Sequence, residues 1–480
     1  MFVQKGILDF TEETTSLFIR KGYRQILFDT FFNSLNIYLV KKYIGQNKVR
    51  LIIDAENYES IHLYYSLNNK LRVLNSTKIN ENTYEFDISY LEEKGTIYPV
   101  IKGDVDKIKV NSFRYEIDCE SREISPCVLI TTYNRQEFLI PNLEKLNKCE
   151  GLAHVIVVDN AKNVELPKSL DSKKFTVIPN DNLGGTGGFT RGMMEAKKRG
   201  FSHIFIMDDD ITLIPEVMEK TFSLVASLKE EHKNDWVGYS MLIRDNPLVQ
   251  YELGTKWNGY RMNLNHHNYQ LNRPKYLIKN QINKKPNYSA WWSLMMPIEV
   301  LDKYGYPCPF FIKFDDIEYA LRRENEEIIL TNGFGVWHES FEKKFNPYLE
   351  YYLVRNAFVT NSLHMKNPGF KSAWRYFRKS VKFYLLGRHR EFKLINIGTN
   401  DFFKGPDYLL SLDLEANNNK MREIAKEKPN FVKGLFTIPF ISCFYFFKIW
   451  FGFNKPKKAY LSKKNDLTSG EYWEKIFNHE

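Results

Sequence analysis

The chain of 480 residues holds five cysteines, Cys119, Cys127, Cys149, Cys308 and Cys443, and no two stand at a metal-type spacing. An odd, scattered set argues against a disulfide framework and for a reducing compartment. No apolar run reaches the roughly 20 residues that a spanning helix needs. The stretch 434–447 is uncharged and largely apolar, but Pro439 interrupts it and Lys448 follows it. The first residues, Met1-Phe-Val-Gln-Lys-Gly-Ile-Leu-Asp9, lack a long apolar core and a small-residue cleavage site. No signal peptide is read there, and a cytoplasmic protein is expected. No repeat at solenoid periods is visible. Acidic residues are the minority, 58 against 68 Lys and Arg, which leaves a net charge of +10. Nucleic acid, an anionic membrane surface and small anionic substrates all fit that charge. The basic residues fall into no nucleic-acid-binding motif, so no nucleic-acid partner is expected.

What is present describes a globular chain, 43% hydrophobic and 26% charged, long enough for two to four domains. The aromatic content of 15% suits carbohydrate stacking or interfacial anchoring, and equally an AT-rich coding sequence. Residues 1–124 carry short β-rich runs at 25–28, 49–54, 60–65, 83–89, 98–101 and 108–112, separated by Asn/Lys/Gly clusters. That pattern predicts an antiparallel β-sandwich. From 125 to 365 strands alternate with helices: strands at 127–132, 154–159, 175–179 and 203–207, helices at 141–147 and 189–199. Alternation predicts an α/β domain with a mostly parallel, doubly wound sheet. Residues 366–480 read as helical and basic. Trp374, Phe377, Val381, Tyr384 and Leu385 share a helical face, with Lys371, Arg375, Arg378, Lys379, Lys382 and Arg388 largely elsewhere. This region reads as an interfacial membrane anchor, or as a helix packed on the core or in a homo-oligomer contact.

The most informative stretch is Phe205-Ile-Met-Asp-Asp-Asp-Ile211. A buried strand ends there in three carboxylates, whose mutual repulsion a cation would offset. Alternation puts Asp208 and Asp210 on one side and Asp209 on the other. Two oxygen donors suit Mg²⁺ or Mn²⁺ holding a diphosphate; the plain alternative is a solvated acidic turn before Pro215. Val128–Arg135 is a strand running into a polar turn that suits a base and ribose, with Arg135 able to meet phosphate. The strand at 154–159 repeats that design and ends in Asp159. Asn180-Asp-Asn-Leu-Gly-Gly-Thr-Gly-Gly-Phe-Thr-Arg-Gly192 fits neither the Rossmann nor the P-loop spacing. Its glycines permit close backbone approach before a helix N-terminus, which puts Asn182, Gly185 and Arg191 on the donor side. Asp315 and Asp316 open a predicted helix, where capping alone would explain them. The proton affinities of a carboxylate pair can also diverge, which leaves one member poised to take a proton as a base. His338, in Gly335-Val-Trp-His-Glu339, completes an Asp/Asp/His set and tilts the metal toward Mn²⁺.

Together these elements resemble the GT-A family 2 glycosyltransferases, and among them the bacterial galactofuranosyltransferases of cell-wall galactan. The resemblance rests on Thr131-Thr-Tyr-Asn-Arg135, Asn182–Arg191, Asp208-Asp-Asp210, Trp291-Trp292, Phe314-Asp-Asp-Ile-Glu318 and Trp337-His-Glu339, in that order. It implies an inverting, metal-dependent enzyme that moves galactofuranose from UDP-galactofuranose to a glycan or lipid-linked acceptor. It implies that Asp208, Asp210 and His338 hold Mn²⁺ or Mg²⁺ with the donor diphosphate, and that Asp209 touches the donor ribose or sugar. Thr132, Arg135 and Asp159 would line the nucleotide pocket. Trp291, Trp292 and Asp315 would meet the acceptor, and Asp316 would be the base. The family also uses a glutamate near the acceptor; Glu252 and Thr255 stand near that place without a match close enough to carry the role. A rhamnosyl or other donor, and a non-catalytic glycan-binding protein, are the competing readings. The protein is expected on the inner face of the membrane.

Overall fold

In the computed structural model the described residues are 1–67, 70–282, 284–340, 346–427 and 431–479, with the side chains of 431–437 left aside. The first 117 residues build two antiparallel sheets. One orders Phe2–Lys5, Lys109–Ile117, Lys48–Glu56, Thr83–Asp87 and Thr77–Asn80. The other orders Arg20–Gly22, Gln25–Leu27, Thr96–Lys102, Ser60–Leu67 and Lys70–Val73. Lys48–Glu56 buries Val49, Leu51 and Ile53, every second residue, as a strand with one face on a core must. Side chains of the two sheets meet: Phe113 packs edge-on against Phe28 at 4.6 Å, and the Tyr115 hydroxyl donates to the Ile97 carbonyl. The first strand also lies against the helix Pro215–Ser227, where the Val3 amide donates to the Ser223 hydroxyl at 2.7 Å.

The central sheet has seven strands in the order Phe175–Pro179, His154–Asp159, Pro126–Thr132, His203–Asp208, Ser293–Pro297, Trp236–Gly238 and Ile328–Ile329. The first four are parallel, Ser293–Pro297 runs against both neighbours, and the last pair is parallel again. Its inner strands are buried on both faces, which is why they read as unbroken apolar runs rather than alternating ones. A four-stranded sheet, Tyr269–Gln270, Asn246–Glu252, Ser240–Ile243 and Gly335–His338, stands beside it.

The helix expected at 141–147 is Gln136–Lys148, with Pro141 inside it. Pro141 lies in the second turn, where its missing amide gives up the hydrogen bond to the Glu137 carbonyl, and the helix runs through it. The helix expected from 315 onward ends early, at Ala320. After residue 348 the chain is helical: Leu349–His364, Gly369–Leu385, His389–Lys404, Leu414–Lys426, Phe431–Gly452 and Gly470–Asn478 are its main elements. Among the described residues no helix is long and apolar enough to cross a membrane. The apolar stretch at 434–447 lies within Phe431–Gly452, and the side chains of 434–437 fall outside the described set.

Candidate functional site

The parallel register brings strand ends together. Thr132 pairs with Asp159, and Thr131 pairs with Asp208, so the three inner strands finish at one edge. Ligands of open α/β sheets bind at that edge. The run Ile204–Met207 is fully buried, and each large apolar side chain there contributes about 1.5–3 kcal/mol. That burial fixes where the chain must turn, and it turns on Asp208, Asp209 and Asp210.

One ligand atom from each of Asp208, Asp210 and His338 lies within 4.8 Å of the others. His338 Nε2 is 3.5 Å from the Asp208 carboxylate and 3.4 Å from that of Asp210. Its Nδ1 is 2.7 Å from the Glu339 carbonyl. A carbonyl only accepts, so Nδ1 carries a proton, which leaves Nε2 as the nitrogen that would meet a metal ion set between the carboxylates. Two carboxylate oxygens and an imidazole nitrogen fit Mn²⁺ or Mg²⁺. Asp209 turns away and accepts the Thr132 hydroxyl at 2.8 Å. Arg135 bridges Asp210 at 2.7 Å and Asp209 at 3.4 Å. Burial pushes the Asp209 carboxyl up to about 7, against the pull of Arg135.

A second carboxylate group sits on the short helix Asp315–Ala320. The approach to it is strained: Phe311, Lys313 and Phe314 have φ of 72°, 67° and 72°. Each such residue costs about 1–3 kcal/mol, so the loop persists only if its surroundings hold it. Two neighbours on the helix Leu349–His364 do so. The Asn356 amide donates to the carbonyls of Ile312 at 3.0 Å and Lys313 at 2.9 Å, and Arg355 donates to that of Phe310 at 2.9 Å. Behind the helix, Glu318 is fully buried between Arg322 and His364. Asp315 accepts the Thr186 hydroxyl at 2.8 Å. Burial raises both carboxyls of the pair, and that of Asp316 is raised further by Asp315 and by Glu252. Glu252 is itself buried, is pushed up to about 7, and accepts the Thr255 hydroxyl.

The glycine-rich element departs from its expected form. It is not a loop ending at Phe189 but the first turns of a helix, Gly184–Lys198. A Cβ on Gly188 would lie 2.2 Å from the Thr131 methyl, and one on Gly184, at φ 70°, would lie 2.1 Å from the Phe311 carbonyl oxygen. The glycines therefore let this helix wedge between the strand end and the strained loop, and Thr186 reaches Asp315 from it. At Gly185 a Cβ would meet open space, and Asn182 accepts the Gly184 amide at 3.3 Å.

Other expected residues sit differently. Arg191 turns to the last helix, its guanidinium 4.8 Å from the Phe477 ring. The Asp159 carboxylate is taken by the backbone amides of Ala161, Asn163 and Val164, so it shapes the following loop. Trp291 and Trp292 are 4% and 6% exposed. Trp291 packs edge-on against Phe189 and Tyr319, and Trp292 donates to the Tyr239 carbonyl and lies 6.4 Å from the His338 ring. With both indoles covered, neither offers an open face to a sugar. Sequence reasoning missed Asn356, Arg355 and Thr186 and left Glu252 without a role. Only Glu252-x-x-Thr255 carried a signal.

Residues 127–304 match the family model of glycosyl transferase family 2. The stretch is a family 2 glycosyltransferase domain. This glycosyltransferase domain contains the parallel strands, the Asp triplet and the Trp pair, while Asp315, Asp316 and His338 follow it in the chain. Galactofuranosyltransferase GlfT2 of Mycolicibacterium smegmatis is 24% identical over 378 residues, 73% of this chain and 58% of that protein. The Mycobacterium tuberculosis GlfT2 is 25% identical over 282 residues, 54% of this chain and 43% of that protein. Galactofuranosyltransferase GlfT1 of M. smegmatis is 31% identical over 91 residues, 18% and 29% of the two chains. The chain thus spans about half the length of the first two curated relatives it matches.

Proposed function

We propose that this chain is an inverting, metal-dependent GT-A glycosyltransferase that moves galactofuranose from UDP-galactofuranose to a glycan or lipid-linked acceptor on the inner face of the membrane. One observation carries the reading: a metal-type Asp/Asp/His set at the edge of the parallel sheet and a separate, proton-retaining carboxylate pair, joined through one helix. Gly188 of that helix packs on Thr131 beside the first set, and Thr186 holds Asp315 of the second. The galactofuranosyltransferase relatives support the donor.

Asp208, Asp210 and His338 would hold the metal and, through it, the donor diphosphate. The ion, when bound, offsets the charge that grows on the departing diphosphate. Arg135 keeps Asp209 and Asp210 in place and presents a cation at the same edge, while Thr132 fixes Asp209 for the donor ribose or sugar. Asp316 takes the proton of the acceptor hydroxyl. Its raised affinity for a proton, from burial and from Asp315 and Glu252, suits that task near neutral pH. Asp315, tethered by Thr186, orients the acceptor, and the freed oxygen attacks the anomeric carbon opposite the diphosphate, which inverts it. Residues 1–124 and 366–480 act as flanking domains of the 125–365 catalytic unit.

The test is nucleotide release with Mn²⁺ from UDP-galactofuranose, UDP-galactopyranose and dTDP-rhamnose, with and without a synthetic galactan or lipid-linked acceptor. Acceptor-dependent release from UDP-galactofuranose alone is expected. Release from another donor only would discard the galactofuranosyl assignment and keep the transferase.

A further inference from the structure

The three metal-type ligands come from two different sheets. Asp208 ends the strand His203–Asp208 of the seven-stranded sheet, with Asp210 in the turn that follows. His338 ends Gly335–His338 of the four-stranded sheet. No ladder joins these two strands. Beyond them the chains meet at Thr212 and Trp337, whose amides donate to each other's carbonyls at 2.7 and 3.2 Å. That bridge lies two residues past Asp210 and one before His338. It sets the approach of the two chains but not the turn that aims Asp210.

Arg244 spans the remaining gap. It follows Ser240–Ile243, which pairs with Gly335–His338 so that Ile243 lies opposite His338. The Arg244 amide donates to the His338 carbonyl at 3.0 Å. Its guanidinium crosses to the other sheet and donates to the Asp210 carbonyl. The same group lies 5.5 Å from the Phe138 ring. A planar guanidinium that donates along its edge and stacks on its face keeps little freedom. The helix Gln136–Lys148, which carries Phe138, also carries the buried Asn142. The Asn142 amide donates to the carbonyls of Asp209 at 3.0 Å and Ile211 at 2.8 Å. The carbonyls of 209, 210 and 211 are thus each held by a side chain from outside the turn. Asp209, Asp210 and Ile211 are all buried, so those carbonyls need donors. Donors that arrive as side chains also fix how the turn is rotated, and with it where Asp210 points.

We propose that Arg244 is a positioning residue of the metal site, tying the Asp210 turn to the His338 strand, with Asn142 holding the same turn from its other neighbour. Arg244 commits a guanidinium nitrogen to the main chain and its face to Phe138, so it acts through the ligands. The inference rests on the metal reading of Asp208, Asp210 and His338. Its consequence is selectivity. Mg²⁺ takes oxygen ligands in a demanding geometry, whereas imidazole suits a transition metal such as Mn²⁺ better. Holding His338 within reach of both carboxylates therefore favours Mn²⁺. When the tie is cut, the imidazole contribution weakens first and the site falls back on its two carboxylates.

Binding of Mn²⁺ alone to the full chain tests it, read from the free-ion signal in electron paramagnetic resonance with Mg²⁺ as competitor. Arg244→Met keeps the stem of the side chain and removes its donors. Mn²⁺ binding by that variant is expected to weaken about tenfold or more. Mg²⁺ binding should weaken less, so the preference for Mn²⁺ narrows. Arg244→Lys should lose less than Arg244→Met, since an ammonium can donate to the carbonyl but cannot stack as a guanidinium does. It keeps the charge and carries the same comparison if Arg244→Met does not fold. A merely structural role would weaken both ions in the same proportion. That result, or unchanged Mn²⁺ affinity in both variants, would overturn the positioning role while leaving the metal site standing. Absence of Mn²⁺ binding by the unaltered chain would overturn the metal reading, and this inference with it.

Discussion

The two carboxylate groups use the same chemistry to opposite ends. Asp208, Asp210 and His338 stand at a sheet edge, with Asp208 half-exposed and Arg135 supplying positive charge to the group. Asp315, Asp316 and Glu252 are gathered with no ion pair among the described residues at Asp316, and burial holds their carboxyls toward the protonated form. A carboxylate next to cationic partners stays charged and can bind a metal ion. A carboxylate crowded by others out of water holds a proton and can exchange it. The residue type is shared; the surroundings divide the labour.

The comparison breaks most completely at the edge group. Asp210→Ala removes a ligand and leaves Arg135 less well paired, and transfer should fall by about 10³-fold or more in a nucleotide-release assay. Asp316→Asn keeps the shape but cannot take the proton, so transfer should fall by about 10²–10⁴-fold while KM for the donor stays within about twofold. Asn356→Leu releases the carbonyls of the strained loop; kcat should drop about tenfold or more, with a loss of about 1–3 kcal/mol in denaturant unfolding. The smallest effect is in pH. Since the Asp316 carboxyl is raised, the ionised base is lost as pH falls through that raised value, and kcat/KM should decline well above the ordinary carboxylate range. Glu252→Gln removes a negative neighbour, so that decline should move to lower pH; a pH profile of both proteins checks it.

Much of the edge group was legible in the chain. Strand alternation beyond the apolar run predicts Asp209 apart from Asp208 and Asp210; the structure does set it apart, though by a turn, since the strand ends at Asp208. His338 was read from the sequence as the residue that could complete an Asp/Asp/His set, and the fold brings it within reach of both carboxylates. The second group was only half legible. Asp315 and Asp316 adjoin, but Glu252 comes to Asp316 through a separate sheet, and no local pattern encodes that distance. The strained Phe311–Phe314 approach was invisible because its φ angles are imposed by Asn356 and Arg355 from more than forty residues away. The glycine run misled because glycine signals a loop and a tight helix contact alike; only Thr131 and Phe311 across the gap decide between them. The Trp pair suggested sugar stacking, yet both rings are buried, Trp291 against Phe189 and Tyr319 and Trp292 beside Tyr239 and His338.

Calorimetric titration of UDP with Mn²⁺ into Asp316→Asn and Asp210→Asn, side by side with the unaltered chain, tests the division of labour most directly. The account predicts that Asp316→Asn binds like the unaltered chain and that Asp210→Asn loses Mn²⁺-dependent binding by about a hundredfold or more. Equal loss in both variants, or loss in Asp316→Asn alone, would contradict it.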